Sequence, residues 1–367
     1  MMKSRKNLAL NVCIAGISCI ISFTIGYYIY SNTRKPREKT VGMNIDDDYQ
    51  VSLFNHEGRR LSETSGPFRL ITDPFTIFNN YPSQKSKSYS INKYRFRDGY
   101  TSDKPYTAMV VGGSAAFGWH VNENEKTFSS QLSRINPKYN IINGAVVAFL
   151  SGQELAQMIH YLDDFHPDLY IVFNGWNDVS DPYLVTQNWP ATYTSFGFYH
   201  FFSDIENRLA EYYKLTSNDI NSQTSPLEPI GKPLDEQDYF QLILKRYTTN
   251  VKKMYSFASS RNAKFLLVFQ PELTSKRVFS EDEKKFLTAS NQHPYAYLDK
   301  NISKIYKNLI DESKKIFDYA NIAFIDINDE PEFCEKDETL FYDVVHPNVQ
   351  GHEIIAKILQ RVLMEKF

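Results

Sequence analysis

The sequence predicts a three-layer, doubly wound α/β/α sandwich around a mainly parallel sheet of about five strands. Three observations predict it. Short apolar runs recur at TAMVV (107–111), YNII (139–142), LYIVF (169–173), FLLVF (265–269) and IAFI (322–325). The runs are continuous rather than alternating, which suits strands covered on both faces. Stretches of helical periodicity lie between them, and a strand–helix alternation winds into one parallel sheet flanked by helices.

Taken in chain order, residues 1–7 are a short tail with Lys3, Arg5 and Lys6. Residues 8–30, LALNVCIAGISCIISFTIGYYIY, carry no charge. At about 1.5 Å per helical residue the run covers the roughly 30 Å hydrocarbon core with room for tilt. Tyr27, Tyr28 and Tyr30 fall where an interfacial aromatic belt would lie. The run is longer than a signal-peptide core and no small-x-small cleavage site closes it. Gly16 stands where a lipoprotein signal would place a branched aliphatic before Cys19. An uncleaved, single-pass transmembrane anchor is therefore expected. Arg34, Lys35, Arg37 and Lys39 nearly balance the basic residues ahead of the run, so charge does not fix orientation. A lone N-terminal anchor usually delivers the domain behind it across the membrane, which predicts a cell-membrane protein with an extracytoplasmic (periplasmic) domain.

Residues 31–66 are polar, with an acidic run at Asp46-Asp47-Asp48, and read as a linker or stalk. Residues 67–106 turn aromatic, as in FRLITDPFTIFNNY, without clear periodicity. They are expected to pack as an irregular lead-in on the main domain, 107–367. Within that domain Phe128, Leu132 and Ile135 mark one helix face. Leu155, Met158, Ile159 and Leu162 mark a second, and Ile354, Ile355, Ile358 and Leu359 a third. From about 179 to 237 the alternation breaks, which marks an insertion.

Composition excludes some classes of function. A formal net charge of -2 without a basic stripe gives no nucleic-acid footprint. Of three cysteines, Cys13 and Cys19 lie in the apolar run, which leaves Cys334 alone in the rest. No disulfide or cysteine-based zinc site fits that count. No cofactor motif is present: GGSAAFG gives neither a P-loop nor a dinucleotide fingerprint.

Ligand sites in such sheets lie beyond the carboxyl ends of the strands, here the loops starting near Gly112, Asn143, Asn174 and Gln270. Ser114 comes directly after the first strand and two glycines. Taken alone it reads first as a helix N-cap; as a nucleophile it needs a base and donors for an oxyanion. YDVVHPNVQGHEIIA, residues 342–356, offers both His346 and Asp343 three residues upstream. An imidazole held in one tautomer by a carboxylate is the base a serine requires. An Asp-capped turn, or a metal pair of His346 with His352, stay open as alternatives, although the metal pair has no third ligand at sensible spacing. FNGWND (173–178) places Asn177 on the same rim, either as a turn residue or as an oxyanion donor.

The ordered set of these blocks resembles the SGNH (GDSL-type) hydrolase family from about Asn92 to the C-terminus. The blocks are NKYRFRD (92–98), GGS at 112–114, KTFSSQL, IINGAVVAFLSGQEL, HPDLYIVFNGWND, LLVFQPEL and YDVVHPNVQGHEIIA. The resemblance implies a flavodoxin-like fold, with Ser114 as nucleophile, His346 as base and Asp343 as its orienter. It implies an oxyanion hole from the Ser114 N–H, the Asn177 side chain and a backbone N–H in the second block. Alignment on Gln153-Glu154-Leu155 puts Ala148 where that block usually has glycine, and Gly144 is the nearby alternative. Gly113 replaces an aspartate common in relatives. Asn174 and Trp176 are candidates to line the pocket; Arg97 reads either as a contact for an acidic substrate group or, more simply, as an arginine packed structurally against the domain.

The expected function is thus a membrane-anchored serine esterase acting on an acylated small molecule or a surface or cell-wall glycan, without cofactor or metal. An O-acyltransferase, or an inactive SGNH-like binding or assembly factor, is the alternative. The sequence is silent on oligomeric state.

Overall fold

The described residues of this computed structural model are 70–86, 88–185, 235–289 and 300–367. The expected tail, anchor and linker (1–7, 8–30 and 31–66) and most of the insertion lie outside them. Among the described residues no helix is long and apolar enough to cross a membrane.

The first described elements form an antiparallel hairpin, β1 (Leu70–Asp73) and β2 (Ile77–Asn80). Asp73 Oδ1 closes its turn by accepting from the N–H groups of Phe75 and Thr76 and from the Thr76 hydroxyl, at 3.0, 2.9 and 2.8 Å. An irregular lead-in was expected over 67–106, so this pairing is a correction. The apolar signal failed because β2 buries polar side chains, Asn79 and Asn80. Asn80 Nδ2 donates to the carbonyls of Arg95 and Ala145.

The main sheet consists of β3 (Tyr106–Gly112), β4 (Tyr139–Asn143), β5 (Leu169–Asn174), β6 (Lys264–Phe269) and β7 (Phe324–Asp326). Its order is β4-β3-β5-β6-β7 and every pairing is parallel. β5 is buried along its whole length, as the continuous run LYIVF requires. The chain moves outward from β3 in one direction and then from β5 in the other. The crevice between their carboxyl ends is the topological switch point where such sheets bind ligands.

The helices are α1 (Ser114–Phe117), α2 (Phe128–Ile135), α3 (Ser151–Gln157), α4 (Trp176–Val185), α5 (Glu236–Ser260), α6 (Glu281–Ala289), α7 (Lys300–Tyr319), α8 (Pro331–Cys334) and α9 (Val349–Lys366). Short polar residues start several of them: the side chains of Thr127, Asp235 and Asn348 accept from Ser130, Asp238 and Gly351 N–H. α2 packs with α9, while α3 and α7 pack with α5, which supplies the two outer layers. Two predicted core positions are exposed instead, Ile135 at 46% and Ile159 at 42%. Ile135 is the last residue of a two-turn helix. Ile159 sits where α3 passes into a π-turn at Met158–Leu162, which rotates the face away from a 3.6-residue period.

Candidate active site

β3 delivers the chain to the switch point through Gly112 and Gly113. A Cβ at Gly112 would lie 2.2 Å from the Phe173 carbonyl oxygen, and one at Gly113 would lie 2.5 Å from Asn177 Nδ2. At Gly112 the clash would be with backbone, so only glycine lets the turn press against the end of β5 there. Ser114 then opens α1, and its Oγ lies 2.8 Å from His346 Nε2, across 232 residues of sequence.

His346 comes from a tight turn ahead of α9. The Tyr342 N–H donates to the His346 carbonyl at 2.9 Å, and the Asn348 N–H to that of Leu340 at 2.7 Å. Asp343 Oδ1 accepts from the N–H groups of Val345 and His346 at 2.8 and 2.9 Å. Its other oxygen, Oδ2, lies 2.6 Å from His346 Nδ1. The capped turn and the orienting carboxylate are therefore one arrangement, with each oxygen serving one purpose. Burial alone would raise the Asp343 carboxyl, but His346 and His120 beside it hold it far below the usual carboxylate range. An ionised carboxylate only accepts, so the His346 proton belongs on Nδ1 and Nε2 is left to accept from Ser114.

His120 is the residue that the sequence reading passed over, although it closes the segment VVGGSAAFGWH. Its side chain is 3% exposed, and its Nε2 lies 3.6 Å from Asp343 Oδ2. Its ring stands edge-on to His346, with centroids 5.1 Å apart. Burial pushes the imidazole down to about 4, so it is neutral at neutral pH. His120 holds a φ of +70°. No spacing rule points from position 120 to position 343, which is why only the fold brings them together.

Of the expected oxyanion donors, Asn177 lies against the turn that carries Ser114, its Nδ2 within 2.5 Å of where a Gly113 Cβ would stand. Ala148 has a φ of +62°, in the left-handed region that favours glycine. Its N–H donates to no acceptor among the described residues. Asn177 Nδ2 donates to the Phe149 carbonyl at 3.0 Å, one residue beyond Ala148. That bond uses one of its two N–H groups. Gly144, the alternative donor, is engaged elsewhere: its N–H donates to Val110 at 3.0 Å and extends the sheet.

The sequence profile of GDSL-like lipases/acylhydrolases matches residues 112–359, more than half of the chain. The chain belongs to this family. Family membership makes it an ester-bond hydrolase in general. Among solved structures it is similar to a GDSL-like lipase from Bacteroides thetaiotaomicron, at 12% identity and a TM-score of 0.42 over 71% of this chain and 89% of that one. An acetylxylan esterase from Geobacillus stearothermophilus gives 13% identity and 0.40 over 71% and 95%. A lipase/acylhydrolase from Enterococcus faecalis gives 11% and 0.42 over 70% and 95%. No curated protein matches.

The three residues offered as substrate contacts are occupied internally, Arg97 in the structural role that is its simpler reading. Arg97 is 3% exposed. It donates to the carbonyls of Phe117, Gly118 and Val121 at 3.0, 2.7 and 2.5 Å and to Asn124 Oδ1 at 3.1 Å. It clamps the chain between α1 and His120. Asn174 donates to Glu154 and accepts from the Tyr247 hydroxyl. Burial and then the nearby Asp178 charge push the Glu154 carboxyl well above its usual range. Trp176 is 1% exposed and packs edge-on against Tyr306 at 5.3 Å. His352, weighed as a metal partner of His346, accepts from the Phe128 N–H at 3.0 Å and stacks on the Phe128 ring. Asp178 was also unforeseen: its two oxygens accept from the Ser151 N–H and hydroxyl at 3.1 and 2.5 Å. That ties the start of α3 to the residue after Asn177.

Proposed function

We propose that the protein is a serine esterase of the carboxylesterase or acetylesterase type working through an acyl-enzyme. The observation that carries this reading is the unbroken chain Ser114 Oγ–His346 Nε2 and His346 Nδ1–Asp343 Oδ2, at 2.8 and 2.6 Å. Ser114 attacks the acyl carbon as Nε2 takes its proton, and Asp343 stabilises the imidazolium. The oxyanion is received by the N–H groups of Ser114 and Ala148 and by Asn177 Nδ2. Collapse returns the proton to the leaving alcohol, and water then attacks the acyl-enzyme by the same base.

The uncharged run 8–30 supports an anchored protein facing outside the cytoplasm. Acyl esters on surface polysaccharide or cell-wall glycan are the substrates that such a position brings within reach. A non-catalytic binding role draws on the missing glycine at 148 and on the aromatic insertion; the left-handed backbone at Ala148 speaks against the first of these. A fluorophosphonate probe tests the reading: wild type labels and Ser114→Ala does not. Aryl acetate turnover in Ser114→Ala is expected to fall by about 10,000-fold or more. A wild type that neither labels nor turns over sinks it. Adding a sugar alcohol and measuring partition of the acyl group against water separates a hydrolase from a transferase.

A further inference from the structure

We propose that His120, Asp343 and His346 form a binding site for a divalent transition-metal ion of the zinc type, and that its occupation switches the Ser114 nucleophile off. The switching rests on the esterase reading above; the binding does not.

One ligand atom from each of the three residues lies within 4.8 Å of the other two. The His120 Nε2 has no hydrogen-bond partner although its side chain is 3% exposed. A buried polar atom without a partner is uncommon and carries a cost. This one faces the anionic Oδ2 of Asp343 at 3.6 Å, beyond hydrogen-bond distance. Zinc bonds of about 2.0–2.1 Å place neighbouring tetrahedral ligands about 3.3 Å apart. The His120–Asp343 separation of 3.6 Å is already close to that. The His346–Asp343 pair, at 2.6 Å, is bridged by a proton and opens by well under 1 Å to admit a metal. Two backbone N–H groups pin Asp343 Oδ1, which leaves Oδ2 as the one oxygen offered. Two imidazoles and one carboxylate suit zinc or copper, whereas magnesium and calcium require an oxygen-rich shell. Three protein ligands leave a fourth position for water.

Either ring nitrogen of His346 gives the same outcome. If Nδ1 binds the metal, the ring's single proton moves to Nε2, which then donates to Ser114 and no longer accepts from it. If Nε2 binds, the lone pair that takes the Ser114 proton is used up. Both remove the base.

The test uses the purified full-length protein. Titration with Co2+ should give the visible bands of a four-coordinate ion, saturating at one per chain and displaced by Zn2+. Zn2+ should inhibit aryl acetate hydrolysis, and EDTA should restore it. In His120→Asn and His120→Gly, which tolerate the +70° backbone angle, the half-inhibiting Zn2+ concentration should rise by about 10-fold or more. It is read as the ratio of rates with and without zinc in each variant, and thermal melts confirm folding. The cobalt bands should be lost from both variants. Unaltered bands or unaltered inhibition in the folded His120 variants overturns the proposal, as does a wild type that binds no Co2+ or Zn2+. A protein that binds cobalt at this site but hydrolyses no ester would overturn the esterase reading and leave the metal site standing.

Discussion

At the scale of single residues, Ala148 holds a backbone angle that favours glycine. Its φ of +62° costs an L-residue about 1 kcal/mol or more. The ordinary penalty of Ala→Gly, roughly 0.5–1 kcal/mol from chain entropy, should be offset here. Ala148→Gly is therefore expected to leave the urea midpoint unchanged or raised, with kcat within about threefold of wild type, since the N–H stays in place. A clear loss of stability would show that position 148 is not strained. Asn177→Ala should lower kcat by about 10²–10³-fold with little change in KM, the mark of a donor that acts in the transition state. Equal kcat in that variant would remove Asn177 from the oxyanion site. The contact among Ser114, Asp343 and His346 was legible because each falls in an ordered block of residues. His120 was not, because its partner lies more than 200 positions away and no local pattern marks it.

At the scale of elements, the segments around the site are held by buried polar side chains that serve backbone groups. Arg97 satisfies three carbonyls on either side of His120, with no carboxylate opposite it among the described residues, and burial lowers its guanidinium to about 9. Arg97→Met should leave those carbonyls unsatisfied and cost about 2–4 kcal/mol, seen as an earlier urea midpoint. Arg97→Lys should recover only part of the loss, because an ammonium cannot reproduce the planar fork. If Arg97 instead met substrate, KM would rise for acidic esters alone and stability would stay constant. The lead-in works in the same way. Gln153 of α3 donates to the Thr76 carbonyl at 2.9 Å, and Phe78 packs edge-on against Phe149. β1 and β2 thereby support the loop that carries Ala148. The parallel strands could be read from their apolar runs, whereas this hairpin could not, since Asn79 and Asn80 serve backbone groups from buried positions. The π-turn after α3 was hidden for a related reason: an apolar pattern carries no record of a change in hydrogen-bond ladder.

At the scale of the whole molecule, the two halves of the triad are joined through the core. Phe173 of β5 stacks on Phe128 of α2, which stacks on His352 of α9, with centroids 5.0 and 5.7 Å apart. The stack ties the β5 and α2 side of the site to the helix just after His346. It also makes global stability depend on pH. Burial, with the Arg97 charge next, lowers the His352 imidazole to about 3, against about 6.5 in the unfolded chain. Between those values the unfolded chain binds a proton at this position and the folded one does not. The contribution of His352 is thus fully present above pH 6.5 and is lost as pH falls toward 3. Glu154 acts in the opposite direction. Its carboxyl is raised, so as pH falls through that raised value toward about 4.5 the folded state takes up a proton that the unfolded state still lacks, and stability gains. Wild type alone would mix the two slopes, so the difference from a variant is the informative quantity. His352→Gln keeps an acceptor for the Phe128 N–H and removes the titration. From urea unfolding at pH 7.5, 6 and 5, wild type should lose stability relative to His352→Gln by up to about 1.4 kcal/mol per pH unit below pH 6. Parallel pH profiles for the two proteins would mean that His352 is protonated inside the fold, and the stacked core would then have to accommodate a charge.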